Sequence, residues 1–154
     1  GFRVGFITYA SESGALLGAL EQKTLGIIRA TISSSPHPSQ TFVLKALQSE
    51  EFLRQKQEKY EIMKRRANLV KKLLDSGRYD DAWTYYPFNS GYFMCLRLKK
   101  ADAEKLRTHL LEKYGVGTIA LGETDLRVAF SCIEEEEVEE LFDLIYRGAK
   151  EVEG

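Results

Sequence analysis

The sequence predicts an α/β segment joined by a long helix to a compact α+β module, and three observations carry that reading. The chain opens on a β-branched and aromatic run that holds a single charge. A long stretch from Thr41 to Asp75 places apolar residues at alternating three- and four-residue steps. Beyond Gly77 the texture changes to short apolar runs separated by turn residues and by two helical segments with caps.

Phe2 to Tyr9 carries no charge except Arg3, the pattern of a buried strand. Ser11 or Ser13 then offers an N-cap, and Leu16, Leu17, Leu20, Ile27 and Ile28 follow at helical spacing. Gly14, Gly18 and Gly26 weaken that helix by up to about 1 kcal/mol each relative to alanine. The run Ser33 to Ser39, with Pro36 and Pro38, reads as a loop. From Thr41 to Asp75 the chain is predicted helical with a break near Ser49. Tyr60, Met63, Ala67, Val70 and Leu74 mark its apolar stripe. Lys64, Arg65, Lys71 and Lys72 lie on the opposite face, with Glu50, Glu51, Glu58 and Glu61 interspersed, which describes a solvated surface. Gly77 is the expected stop.

Ala82 to Tyr86 and Tyr92 to Leu98 read as strands joined by a turn over Pro87, Phe88, Asn89, Ser90 and Gly91. A helix capped by Asp102 runs to Tyr114 and ends at Gly115. Val116 to Leu121 and Leu126 to Ser131 form two more strands around Gly122 to Asp125. A final helix extends from Glu134 to Lys150, with Val138, Leu141, Phe142 and Ile145 facing inward. Its acidic start, Glu134 to Glu137, complements the positive end of the helix dipole. The expected organisation is therefore residues 1–48 as the end of an α/β unit, residues 49–76 as a connecting helix, and residues 77–154 as a small α+β domain. The chain opens without an initiator Met on a strand already under way, as an excised piece of something longer would. If residues 1–48 are parted from their sheet, an exposed apolar surface should result.

Composition narrows the function classes. Apolar residues make up 44% and charged residues 29%, which excludes a disordered chain. Lys and Arg total 22 against 23 Asp and Glu, so the bulk positive field of a nucleic-acid binder is missing, as is the basic balance that favours anionic membranes. No apolar run approaches the roughly 18–20 residues that span a bilayer. Cys95 and Cys132 each sit in an apolar run and read as buried free thiols, in keeping with a reducing cytoplasm. His37 and His109 have no metal-ligand spacing between them or to the cysteines.

Three arginines stand out. If Leu126, Val128 and Phe130 face a core, Arg127 points the other way between Ala129 and its neighbours, and a fixed guanidinium there can grip a carboxylate through two parallel N–H···O bonds. From this strand alone, a solvent-facing arginine on a half-buried sheet is the stronger reading. Arg3 interrupts an apolar strand and has Gly1 and Gly5 on its own face, so either a bound anion such as phosphate or a structural ion pair would satisfy it. Arg29, at the end of the first helix, suits the helix C-terminal dipole. No Ser-His-Asp arrangement and no glycine-rich phosphate loop is present.

Taken together these segments resemble a known family. Gly1-Phe2-Arg3-Val4-Gly5-Phe6 resembles the strand that follows the Schiff-base lysine in pyridoxal-phosphate aminotransferases of the aspartate aminotransferase superfamily, class I/II and fold type I. Ile28-Arg29-Ala30-Thr31-Ile32-Ser33-Ser34-Ser35-Pro36 is similar to the family's Arg-Ala-Asn-Tyr-Ser-Asn-Pro-Pro segment. Leu126-Arg127-Val128-Ala129-Phe130-Ser131 resembles its late substrate-binding strand, and Asn89-Ser90-Gly91-Tyr92-Phe93 the opening of the small domain's sheet. Order and separation agree over essentially the whole chain.

The resemblance implies the carboxyl-terminal part of such an enzyme: the tail of the large cofactor-binding domain, the connecting helix, and a small antiparallel sheet packed by helices. It implies pyridoxal 5′-phosphate as cofactor, an amino acid and a 2-oxo acid as substrates, a homodimer, and neither nucleic acid nor membrane as partner. By the same resemblance Arg3 binds the cofactor phosphate and Arg127 the substrate α-carboxylate. Arg29 matches the arginine that reaches the partner subunit's site in dicarboxylate-specific members, although Ile32 and Ser34 stand where those have Tyr and Asn. The Schiff-base lysine is expected upstream of this chain, so the chain alone is expected to be inactive. A carbon–sulfur lyase on the same scaffold, an aminotransferase-like effector domain of a transcription regulator, and an unrelated α+β interaction module remain open on sequence grounds.

Overall fold

The computed structural model describes residues 2–89 and 91–153. Gly1 and Ser90, which enter the readings of the opening segment and of the Pro87–Gly91 turn, lie outside the described residues. The chain divides into two compact units, 1–55 and 56–154.

The first unit holds two helices, α1 (Gly14–Thr31) and α2 (His37–Leu47). Of the two candidate caps it is Ser13 that opens α1, its hydroxyl accepting the Leu16 N–H at 3.3 Å. Neither helix has a buried residue, and Leu16, Leu25, Ile27, Phe42, Leu44 and Leu47 are all exposed. That is the uncovered apolar surface expected of this segment. Two local expectations are corrected. Residues 2–10 form no strand, and Arg3 adopts a left-handed backbone (φ 57). A strand needs a neighbour for its ladder of hydrogen bonds, and the described residues of this unit contain none. The loop after α1 is also shorter than expected, because His37-Pro38-Ser39 forms the first turn of α2. Proline costs nothing there, since the first-turn N–H groups have no intrahelical partner.

The long helical stretch breaks at Gln48–Glu51 and resumes as α3 (Phe52–Leu74), which enters the second unit at Lys56. Gly77, with φ 75, turns the chain after it. The second unit then continues as β1 (Trp83–Tyr85), β2 (Met94–Leu98), α4 (Ala103–Tyr114), β3 (Ile119–Leu121), β4 (Asp125–Val128) and α5 (Val138–Val152). The strands make one antiparallel sheet in the order β1-β2-β4-β3. Asp102 caps α4 by accepting the Lys105 N–H at 2.8 Å, and Gly115 ends it in the left-handed conformation (φ 68).

Period-two alternation sorts the sheet into two faces. Met94, Leu96, Leu98, Leu126 and Val128 point into a core completed by Val70 and Leu74 of α3, Leu106 and Leu110 of α4, and Val138, Phe142, Ile145 and Ala149 of α5. Tyr79, Trp83 and Tyr146 stack beside it with ring centroids 5.1–6.0 Å apart. Tyr79 donates its hydroxyl to Asp143 at 2.6 Å, and burial pushes that hydroxyl's pKa well above the usual tyrosine value. The other face of the sheet stays open: Ile119 and Leu121 are 45% and 48% exposed. Several boundaries differ from expectation, among them the starts of β2 at Met94 rather than Tyr92 and of α5 at Val138 rather than Glu134. β3 begins at Ile119 rather than Val116. β4 ends at Val128, and Phe130–Cys132 is a 3-10 turn. Phe130 remains buried through that turn, while Cys132 is swung out and exposed, contrary to its reading as a core thiol.

Candidate active site

Arg127 sits in the middle of the open face. Its pairing across the sheet fixes its position, with Cys95 of β2 on one side and Ile119 of β3 on the other. The alternation that buries Leu126 and Val128 forces its side chain outward. There the guanidinium lies over the ring of Phe93, 4.7 Å from the centroid. Stacking on an aromatic face holds the planar group in place while its N–H edge remains available. Among the described residues Arg127 makes no ion pair and no side-chain hydrogen bond. Its nearest carboxylate in sequence, Asp125, instead accepts a hydrogen bond from the Tyr86 hydroxyl at 3.1 Å. The Cys95 thiol beside Arg127 has a raised pKa, chiefly because burial disfavours the thiolate. A half-buried cation with its donors unspent and its plane held is suited to binding a carboxylate by two parallel hydrogen bonds.

The Arg127 segment is held from behind by Arg66 of α3, the one buried charged residue among those described. Arg66 Nη1 donates to the Ser131 carbonyl at 2.7 Å, and Nη2 to Glu134 Oε2 at 2.6 Å. Arg65, read from sequence as solvated, donates to Glu135 at 2.8 Å. Sequence reasoning passed over Arg66, yet the signal was present. It falls three residues after Met63 and four before Val70, on the apolar stripe itself, where a lone arginine needs a buried acceptor. The role of Phe93 as a platform was also missed; an aromatic two residues before Cys95, the cross-strand partner of Arg127, was its trace.

Arg3 and Arg29 belong to the first unit. Arg3 lines a cavity of about 530 Å³ together with Gly5, Phe6, Ser35, Gln40 and Thr41. A Cβ added at Gly5 would meet nothing within 4 Å, so that part of the cavity lining is open. Arg3 has no ion pair among the described residues. A cation of this kind beside hydroxyl and amide side chains suits an oxyanion such as phosphate, and these residues fit the phosphate end of a phosphorylated cofactor. Arg29, in the last turn of α1, does not line that cavity and donates instead to the Ser33 hydroxyl at 2.6 Å. No cluster of His, Cys, Asp and Glu suited to a metal ion occurs among the described residues, and no helix there is long and apolar enough to cross a membrane.

The family model described as aminotransferase class I and II matches residues 1–145. Among solved structures, the chain is similar to the α-aminoadipate aminotransferase LysN from Thermus thermophilus, solved with N-(5′-phosphopyridoxyl)-L-leucine. The TM-score is 0.72 at 21% identity, covering 87% of this chain and 36% of that one. An aminotransferase from Anaerococcus prevotii gives 0.68 at 20% identity, covering 91% and 33%. A Methanococcus jannaschii protein, described as similar in its active site to kynurenine aminotransferases, gives 0.66 at 20%, covering 85% and 35%. At such identities the likeness establishes the fold, and the chain spans about a third of the length of the structures it matches. No curated protein matches.

Proposed function

Because the chain belongs to the class I and II aminotransferase family, we propose that it forms the carboxyl-terminal part of an enzyme moving an amino group between an amino acid and a 2-oxo acid. The observation that carries this is Arg127, aimed from the open face of the sheet, stacked on Phe93 and without an acidic partner among the described residues. Pyridoxal 5′-phosphate, the cofactor this family implies, supplies an electron sink for the carbanion formed at the substrate's α-carbon. The residues of this chain bind and orient.

Arg127 takes the α-carboxylate by a bidentate pair of hydrogen bonds, which fixes the substrate's orientation and so the direction of its Cα–H bond. Arg3 holds the cofactor phosphate, with the bare Gly5 backbone allowing close approach. Arg29 would reach the substrate of the partner subunit in a homodimer. Residues 1–48 form the tail of the large cofactor-binding domain, 49–76 the connecting helix and 77–154 the small domain. The Schiff-base lysine comes from outside these residues, so the chain alone is inactive, and the setting is the cytoplasm.

The test uses the full-length protein loaded with pyridoxal phosphate and supplied with an amino acid and a 2-oxo acid. Formation of the new amino acid together with the 2-oxo acid of the donor is expected. Release of ammonia with no amino transfer would instead indicate an eliminating enzyme, and no reaction with any amino acid would defeat the reading.

A further inference from the structure

We infer that Arg66 is a positioning residue for the Arg127 carboxylate clamp, acting through Ser131. The inference rests on the reading of Arg127 as a carboxylate-binding arginine, and it adds a residue that this reading does not require. Its basis is one backbone unit with two attachments. The Ser131 carbonyl accepts from Arg66 Nη1 at 2.7 Å, while the Ser131 N–H donates to the Tyr92 carbonyl at 3.4 Å. Ser131 follows β4, which carries Arg127, and Tyr92 directly precedes Phe93, whose ring supports the guanidinium. Arg66 thereby grips the junction between the two halves of the clamp, the strand that bears the cation and the segment that bears its platform.

The junction needs such a hold because regular pairing fails there. β4 ends at Val128, and Ala129 has left the extended region (φ −95, ψ 80) before the Phe130–Cys132 turn. Phe93 lies just before β2 begins at Met94. Neither the far end of the Arg127 strand nor the Phe93 segment is therefore secured by the ladder. A buried, charge-assisted bond from Arg66 Nη1 to the Ser131 carbonyl replaces that security, while Nη2 pairs separately with Glu134.

Charge alone does not account for this arrangement. Glu134 is already engaged at the start of α5, where its side chain and that of Glu137 reciprocally cap the turn. An ion pair serving stability only could be met at the carboxylate. The bond to a backbone carbonyl four residues past Arg127 is the feature that couples α3 to the clamp.

The experiment has two readouts. In the 154-residue chain, the Arg127 Nε–H resonance should be shifted upfield by the Phe93 ring, and Phe93→Leu defines its position without the ring. Arg66→Met, an apolar replacement suited to a buried site, should move the resonance toward that position. Arg66→Lys, which keeps one donor, should fall between. Glu134→Gln leaves the Ser131 bond intact and should leave the resonance in place. In the full-length holoenzyme the ratio of kcat/KM for an amino acid to that for the amine lacking its carboxylate should fall on the order of tenfold to a hundredfold in Arg66→Met, through KM of the amino acid. An Arg127 resonance and ratio unchanged in both Arg66 variants would overturn the inference, as would a Glu134→Gln effect equal to that of Arg66→Met. If Arg127→Met itself leaves the ratio unchanged, the underlying reading of Arg127 fails instead.

Discussion

Gly148 of α5 packs against α4 so closely that its missing side chain can be weighed. A Cβ built there would lie 2.9 Å from Leu110 Cδ2 and 3.1 Å from Leu106 Cδ1. Both leucines are fully buried, so neither methyl can retreat into solvent. Gly148→Ala gains about 1 kcal/mol of helix propensity, whereas overpacking a filled core typically costs about 1–3 kcal/mol. The net expectation is a loss of about 1 kcal/mol, read as a lower urea midpoint with an unchanged slope. The cause can be isolated. Leu110→Ala alone should cost about 2–5 kcal/mol by leaving a cavity, and the new methyl at position 148 would occupy part of that space. Gly148→Ala should therefore change sign and stabilise the Leu110→Ala background, a coupling between neighbours that a double-mutant cycle measures. A Gly148→Ala chain at least as stable as the parent, or an equal cost in both backgrounds, would refute the packing argument.

Two further outcomes follow from the second unit. Asp102→Ala should destabilise by about 1 kcal/mol and Asp102→Asn by much less, because either Asp or Asn can accept the Lys105 N–H that opens α4; urea titrations would compare them. Glu151 is held down to a pKa of about 2, first by its hydrogen bond from Lys113 and then by those from His109 and Tyr114. Its folded pKa lies below the unfolded glutamate value of about 4.3, so its contribution is full above that value and is lost as pH falls toward about 2. Glu151→Gln should flatten the decline in urea midpoint across that window; it should also reduce the loss of stability on the alkaline side, because Lys113 no longer has the carboxylate that raises its pKa.

How much of this was legible in the sequence depended on whether a segment carries its own instructions. Asp102 and Gly115 bracket α4 as read, since a cap and a left-handed glycine are local chemistry. The outward direction of Arg127 was equally legible, because burying Leu126 and Val128 leaves it no other face. The opening segment was not. Its β-branched composition predicts a strand, but a strand is completed by a neighbour, and residues 2–10 have none among the described residues of their unit. The exit of β4 escaped for a related reason: Phe130 is buried either by continued alternation or by a 3-10 turn, and composition does not separate the two. Arg66 stands in one basic run with Lys64 and Arg65, and composition does not show that the helical period turns it onto the buried side. For Arg127 itself the strand alone favoured a solvent-facing arginine. Its platform became visible only when β2 and β4 were paired and Phe93 was brought beneath the guanidinium.

The most direct measurement compares wild-type and Arg127→Met full-length holoenzyme on one amino acid and on the corresponding amine without the carboxylate. Removing one member of a desolvated charge pair costs about 2–5 kcal/mol, so kcat/KM for the amino acid should fall by roughly thirtyfold to several thousandfold while that for the amine stays near its original value. Equal losses on both substrates, or no loss on either, would contradict the assignment of Arg127 to the carboxylate.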